Sequence, residues 1–230
     1  MSIYVYNDEG AEGILHKEWT KDAVLLIMPG GADIPYAKKL NGEGNRIIRR
    51  YVENGGNYLG FCAGAYYGSS FVEFDKGGEL EVMGERELAF FPDKAVGPIL
   101  AKYDYKSNSG ARAALLKLSL NDKDFLNDSM RIYYDGGGYF QNANLYNNVK
   151  VIADYQLEND TFLPAIVEMK YNKGIVILSG VHFEYSTKIL DNSDPYIAEL
   201  MPILEKNEED RIKFNILIFK ILGIRVKLNK

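Results

Sequence analysis

The sequence predicts an α/β protein: a three-layer, doubly wound, mostly parallel sheet with an antiparallel excursion in the middle. Three observations predict it. Residues 23–28 and 175–178 are continuous apolar runs, the pattern of strands buried on both faces by covering helices. Residues 45–53 put Ile47, Ile48, Tyr51 and Val52 on one side of a helix that Gly55-Gly56 would terminate. The chain therefore orders as strand, glycine loop, helix, strand, cysteine turn and helix, as a doubly wound sheet requires.

Further strands are expected at residues 2–6, 58–61, 131–134, 149–153 and 165–169. A second helical stretch is expected over 194–222, with a break near Asn207. Within it, the apolar residues of 216–224 are interrupted by Lys220 and Gly223 and read as a core-packing helix, too short to span a bilayer. From 79 to 120, short alternating segments with turn formers such as Pro92 and Gly97-Pro98 read as the antiparallel excursion. Only about 16 residues separate the first strand from Ala23, near the lower limit for a crossover, so that edge of the sheet is expected to be reduced or rearranged. No repeat or linker divides the chain, and residues 1–230 are expected to form a single domain.

Composition narrows the function classes. A net charge of −5 opposes nucleic-acid binding, and Arg225, Lys227 and Lys230 read as a solvated tail. With two histidines and one cysteine there is no soft-metal cluster, so no metal and no cofactor are expected. No disulfide can form within the chain, which fits a reducing compartment. The amino terminus has neither a basic region nor an apolar signal core, so a cytoplasmic location without membrane contact is expected.

The strongest chemical signal is Cys62, in Tyr58-Leu59-Gly60-Phe61-Cys62-Ala63-Gly64-Ala65-Tyr66, between a strand-like and a helix-like run. A thiol at such a turn faces the first N–H groups of the helix, which favour thiolate. The small residues Gly60, Ala63, Gly64 and Ala65 allow a strained turn and a close approach of substrate. A lone cysteine is more often a small buried hydrophobe; the elbow context argues for a nucleophile. Downstream, His182 and Glu184 end a buried-strand pattern. In extended geometry they would share a face, letting the carboxylate orient the imidazole. Met28-Pro29-Gly30-Gly31 follows the apolar run of 23–28, and the Gly30-Gly31 loop and the Ala63 amide could supply oxyanion donors; a plain strand-exit turn is the alternative.

Together these residues resemble class I glutamine amidotransferase-like proteins, whose sheet is flavodoxin-like. More narrowly, Met28-Pro29-Gly30-Gly31-Ala32-Asp33-Ile34-Pro35-Tyr36, Gly55-Gly56-Asn57-Tyr58-Leu59-Gly60-Phe61-Cys62-Ala63-Gly64-Ala65-Tyr66-Tyr67 and Arg86-Glu87-Leu88-Ala89-Phe90-Phe91-Pro92 resemble the amino-terminal domain of eukaryotic-type biotin-protein ligases and its stand-alone bacterial relatives. The resemblance implies a Cys62, His182, Glu184 triad with Gly30, Gly31, Ala63 and Tyr66 around the substrate. Glutamine-hydrolysing members carry glutamine where this chain has Tyr66, which argues against glutamine as substrate. The ligase's adenylate loop has no counterpart, so the chain is not expected to ligate biotin on its own.

Two functions fit. One is a cysteine-dependent amidase, hydrolase or acyl-transfer enzyme. The other is a non-catalytic regulatory or ligand-binding module that takes a small amide or carboxylate, or docks on a biotin-ligase-type or carrier protein. Redox sensing by Cys62 is a third use of the same turn, though it gives His182 and Glu184 no role. The Asp135-Gly136-Gly137-Gly138 run is either a mobile loop over the crevice or a plain turn. Glu73, Arg86 and Glu87 either line a polar pocket or are ion-paired surface positions, and His16 is given no role.

Overall fold

The computed structural model describes residues 2–7, 9–119 and 127–226. Residue 120, where the expected excursion ends, and Lys227 and Lys230 of the expected tail lie outside them. The chain opens with β1 (Ser2–Val5), β2 (Ala23–Met28), α1 (Asp33–Leu40), α2 (Glu43–Glu53), β3 (Asn57–Phe61) and α3 (Ala63–Gly68). Next come β4 (Ser69–Phe74), β5 (Val82–Glu85), β6 (Phe91–Gly97), β7 (Arg112–Leu118), β8 (Ser129–Tyr134) and β9 (Tyr139–Phe140). The remainder is β10 (Val149–Gln156), β11 (Phe162–Tyr171), β12 (Gly174–Ser179), α4 (Pro195–Lys206) and α5 (Glu208–Ile221).

The main sheet has the order β1-β2-β3-β12-β11-β10-β7-β8. Pairings from β1 through β12 are parallel, and those from β12 through β8 are antiparallel. The antiparallel part is thus larger than a mid-chain excursion. The middle of the chain also builds a second sheet, β5-β4-β6-β9, in which β4 and β6 are parallel. Side chains alternate across the main sheet as pleating demands. Leu26, Met28, Tyr58, Val176 and Leu178 face one core with Ile48 and Val52 of α2. Leu25, Leu59, Phe61 and Ile177 face the other with Phe214 and Ile218 of α5. Two covered faces explain the unbroken apolar runs and give the three layers.

Local chemistry sets the helix ends. Asp194 caps α4 by accepting hydrogen bonds from the amides of Tyr196 and Ile197, with Pro195 next in line. Asn207 divides α4 from α5 at the expected break. After α2, the amides of Gly55 and Gly56 donate to the carbonyls of Val52 and Tyr51, with Gly55 at φ +107. Among its described residues the short segment between β1 and β2 holds two 3-10 turns and no strand, and β1 pairs directly with β2 at a reduced sheet edge.

The parallel strands all deliver their following residues to one edge. There the backbone is crowded: a Cβ at Gly64 would lie 1.9 Å from the Met28 carbonyl oxygen, and one at Gly60 would lie 2.5 Å from that of Gly64. Neither neighbour is a side chain that can swing away. Gly64→Ala is therefore expected to cost at least about 3 kcal/mol in urea unfolding, the upper range for overpacking, whereas exposed Gly77→Ala should cost less, since only its φ of +76 opposes it and nothing lies within 4 Å of the added Cβ.

Candidate functional site

Cys62 sits at the β3–α3 junction with φ 45 and ψ −104, a left-handed conformation rare for a residue with a Cβ. Such a backbone costs about 1–3 kcal/mol and persists only when its surroundings fix it. Here the Cys62 amide donates to the Ser179 carbonyl at 2.9 Å, extending the β3–β12 pairing. Its carbonyl accepts from the amides of Ala65 and Tyr66, both at 2.9 Å. The Tyr58 hydroxyl donates to the Gly64 carbonyl at 2.8 Å from beneath. The following helix has only six residues, so the turn geometry matters more here than a helix dipole. The Cys62 Sγ reaches the Asp135 carbonyl oxygen at 3.6 Å, and the residue is 8% exposed.

His182 lies three residues beyond β12, and its Nδ1 is 2.7 Å from Oε1 of Glu184. The expected pair is present, but not for the expected reason. Residues 180–185 bend and turn instead of extending, so the pair meets within a turn. The Tyr185 ring stacks on the imidazole at 5.1 Å and 6°, and a Cβ at Gly30 would lie 2.9 Å from the His182 Cε1. Gly30 is thus small so that the imidazole can sit over the loop, and Cys62 Cβ is 3.6 Å from the same point. Burial would lower the His182 pKa. The Glu184 charge and hydrogen bonds with Cys62 and Glu184 outweigh it and hold the imidazole well above its ordinary 6.5.

Gly31 adopts φ +127 beside the turn. Among the described residues, neither its amide nor that of Ala63 donates a hydrogen bond. Tyr66 is buried, and its hydroxyl donates to the Gly136 carbonyl at 3.2 Å. Gly97 and Gly138 lack side chains because the Tyr66 hydroxyl lies 2.2 and 2.8 Å from where their Cβ atoms would be. The Asp135–Gly138 run is therefore neither a free lid nor a plain turn. It packs on the end of β12, where a Cβ at Gly137 would meet the Gly180 carbonyl at 1.7 Å.

Above Cys62 is a cavity of about 20 Å³, lined by Gly31, Asp33, Tyr66, Phe74, Tyr103 and Tyr105 among others. That is room for about one water molecule. Asp33 forms a buried ion pair with Arg86, at 2.7 Å with both side chains 8% exposed. Burial raises the Asp33 pKa, and the Arg86 charge opposes the rise. Of the three polar residues left open by the sequence, Arg86 is thus ion-paired, and its partner Asp33 lines the cavity. Glu87 instead accepts from the Gly42 amide and Asn45 Nδ2 at the start of α2, and Glu73 pairs with Lys76 and Lys94. His16 is exposed. Sequence reasoning gave Asp33, Tyr103 and Tyr105 no role; their partners lie far along the chain, and only the Met28–Tyr36 motif pointed to Asp33.

The site also defines a class of protein. A thiol on a strained turn at the carboxyl edge of parallel strands, with a histidine from the bend after the neighbouring strand, marks a three-layer α/β protein with a cysteine elbow. Within it, the chain belongs to the family described as biotin-protein ligase, N terminal, whose model matches residues 3–230. It is 39% identical over 226 residues to the biotin-protein ligase of Schizosaccharomyces pombe, covering 97% of this chain and 34% of the ligase. The chain thus spans about a third of that relative's length. An uncharacterized protein of Chlamydia muridarum is 37% identical over 194 residues, covering 82% of this chain and 71% of its own. A GMP synthase-type protein from Thermoplasma acidophilum superposes with a TM-score of 0.44 at 14% identity, covering 91% of this chain and 96% of that one. Among the described residues no helix is long and apolar enough to cross a membrane, and no group of three or more His, Cys, Asp or Glu is placed to hold a metal.

Two outcomes follow from the electrostatics. Arg86→Met leaves Asp33 buried without its cation and should cost about 3–5 kcal/mol in urea unfolding at neutral pH, with the Asp33→Asn/Arg86→Met double variant recovering most of it. The folded state also holds the His182 proton more tightly than the unfolded chain does. That stabilisation is complete below about pH 6.5 and is lost as pH rises through the raised folded-state value. Unfolding free energy should therefore fall as pH rises above about 6.5 in the parent protein and fall less in His182→Asn.

Proposed function

We propose that this chain is a small-molecule-binding module of the biotin-protein ligase N-terminal type, with its ligand site at Cys62 and a small amide or carboxylate as ligand. The observation that carries this reading is the convergence of Cys62, His182 and the Gly30-Gly31 loop at one sheet edge, in a chain that matches the amino-terminal family over nearly its whole length. The relative from S. pombe is named for biotin ligation and is about three times as long. The module's partner is accordingly a ligase-type or carrier protein, and residues 1–230 act as one unit.

A second reading is favoured by the 2.7 Å His182–Glu184 contact, which has no purpose in a plain binding pocket. In it Cys62 attacks the carbonyl carbon of an amide, and the tetrahedral oxyanion is met by the amides of Gly31 and Ala63. His182 gives its proton to the departing amine, leaving an acyl thioester. It then takes a proton from the water that hydrolyses the thioester, while Glu184 keeps the imidazole oriented. Tyr66 contributes shape, since its hydroxyl is committed to Gly136.

Biotin and biotinamide serve as carboxylate and amide probes of one shape. A ligand at 100 times its Kd should stabilise the protein by about 2.7 kcal/mol. Binding that survives in Cys62→Ala without product release supports the module. Amine release and an acyl mass on Cys62, both lost in Cys62→Ala and His182→Ala, support the enzyme. No thermal shift and no adduct with any of a panel of small amides and carboxylates would sink both.

A further inference from the structure

The segment that borders the Cys62 cavity at Gly136 carries one carboxylate that neither reading uses. Asp135 leaves β8 at the same sheet edge as Cys62 and carries the carbonyl that the Cys62 thiol contacts. Its Oδ1 is buried and makes no hydrogen bond. It packs against Gly110, where an added Cβ would stand 3.0 Å away. Among the described residues Asp135 forms no ion pair. The cations that act on it, His182 and Arg112, have other partners. His182 is held by Glu184, and the Arg112 guanidinium donates to the carbonyls of Ser109 and Ala111 at 2.9 and 2.7 Å. Asp33 on the other wall is already matched by Arg86. Asp135 is thus the surplus negative charge of the crevice.

A buried acceptor without a donor is costly, and a ligand N–H is the group that relieves it. A ligand carboxylate brought to the same place would add like charge at low dielectric. We propose that Asp135 is the specificity residue of the Cys62 site, accepting hydrogen bonds from the N–H groups of a carboxamide or amine and turning away free carboxylates. The proposal rests on Cys62 marking a ligand site and narrows the ligand from amide or carboxylate to the nitrogen-bearing class. Burial pushes the Asp135 carboxyl up to about 6, with His182 and Arg112 opposing, so the selection operates at neutral pH and above.

Iodoacetamide and iodoacetate test this directly, since they differ only in carboxamide against carboxylate and Cys62 is the chain's only thiol. Their rates at about pH 8 are read by intact mass, and their ratio is normalised to that of a free cysteine derivative. In the parent protein the normalised ratio should favour iodoacetamide by about tenfold, and Asp135→Asn should bring it within about twofold of the free thiol. Exposed Glu205→Gln, with the same change in net charge, should keep the parent ratio. A parent ratio equal to that of the free thiol overturns the proposal whether or not Asp135→Asn folds. So does an Asp135→Asn variant that keeps the parent ratio, or a Cys62 that neither reagent reaches. His182→Asn reports on the nucleophile separately: losing the base lowers both rates, and losing the imidazolium charge moves the ratio further toward iodoacetamide, the direction opposite to Asp135→Asn.

Discussion

The structure depends on how closely its backbones approach at the carboxyl edge of the parallel strands. The loop after β2, the turn after β3 and the bend after β12 cross within contact distance, and glycines stand where any Cβ would strike a carbonyl. This crowding holds Cys62 at φ 45, a conformation its own side chain opposes. The amide of Cys62 is tied to Ser179 of β12, and that of Gly64 to Pro29 after β2. The thiol is therefore positioned by the sheet, the most rigid part of the molecule, and not by a loop of its own. His182 gains the same rigidity through its amide, which donates to the Tyr133 carbonyl at 2.8 Å.

Charge is the second constraint. Three carboxylates, Asp33, Asp135 and Glu184, lie around one thiol, with Arg86 and His182 as the cations in direct contact with two of them. The Asp33–Arg86 pair is buried and the His182–Glu184 pair partly so, and a buried pair stabilises little beyond its own desolvation cost. Such pairs persist where they fix a geometry. Arg86 brings the end of β5 against the start of α1 through Asp33, and Glu184 fixes which imidazole nitrogen is left for Cys62. Oε2 of Glu184, like Oδ1 of Asp135, is buried without a hydrogen bond, so unsatisfied acceptors gather around His182.

Much of this was legible in the sequence because the informative residues are rare or locally patterned. A single cysteine between a strand and small residues, and one of two histidines with a glutamate two positions on, need no tertiary knowledge to be singled out. The covered strands announced themselves as unbroken apolar runs. The reason for the His182–Glu184 pair was not legible, because Gly180 turns the chain before the pair forms. Nor was the Asp33–Arg86 pair, whose members are 53 residues apart and belong to separate elements. Helix α1 was missed because Pro35 and two lysines leave it short and weakly patterned. Asp135 was visible only as a charge before three glycines; that its Oδ1 is buried depends on Gly110 and the Tyr103 segment arriving from elsewhere.

These contributions divide the site by origin. The atoms that could react come from the ends of β2, β3 and β12, and their separation is set by strand register. The walls that decide what reaches them come from the middle of the chain: Phe74 and Val82 of the second sheet, and Tyr103 and Tyr105 of the connection leading into β7. With room for about one water over Cys62, the tyrosines set the size limit in this conformation, and Tyr105, 54% exposed, is the wall least held by packing. A family built this way can keep its reactive edge while changing its ligand, because substitutions between residues 74 and 110 alter access and polarity without moving the strands that carry Cys62 and His182. The narrow, tyrosine-walled space therefore limits what can approach Cys62, whatever the strand ends hold in place beneath it.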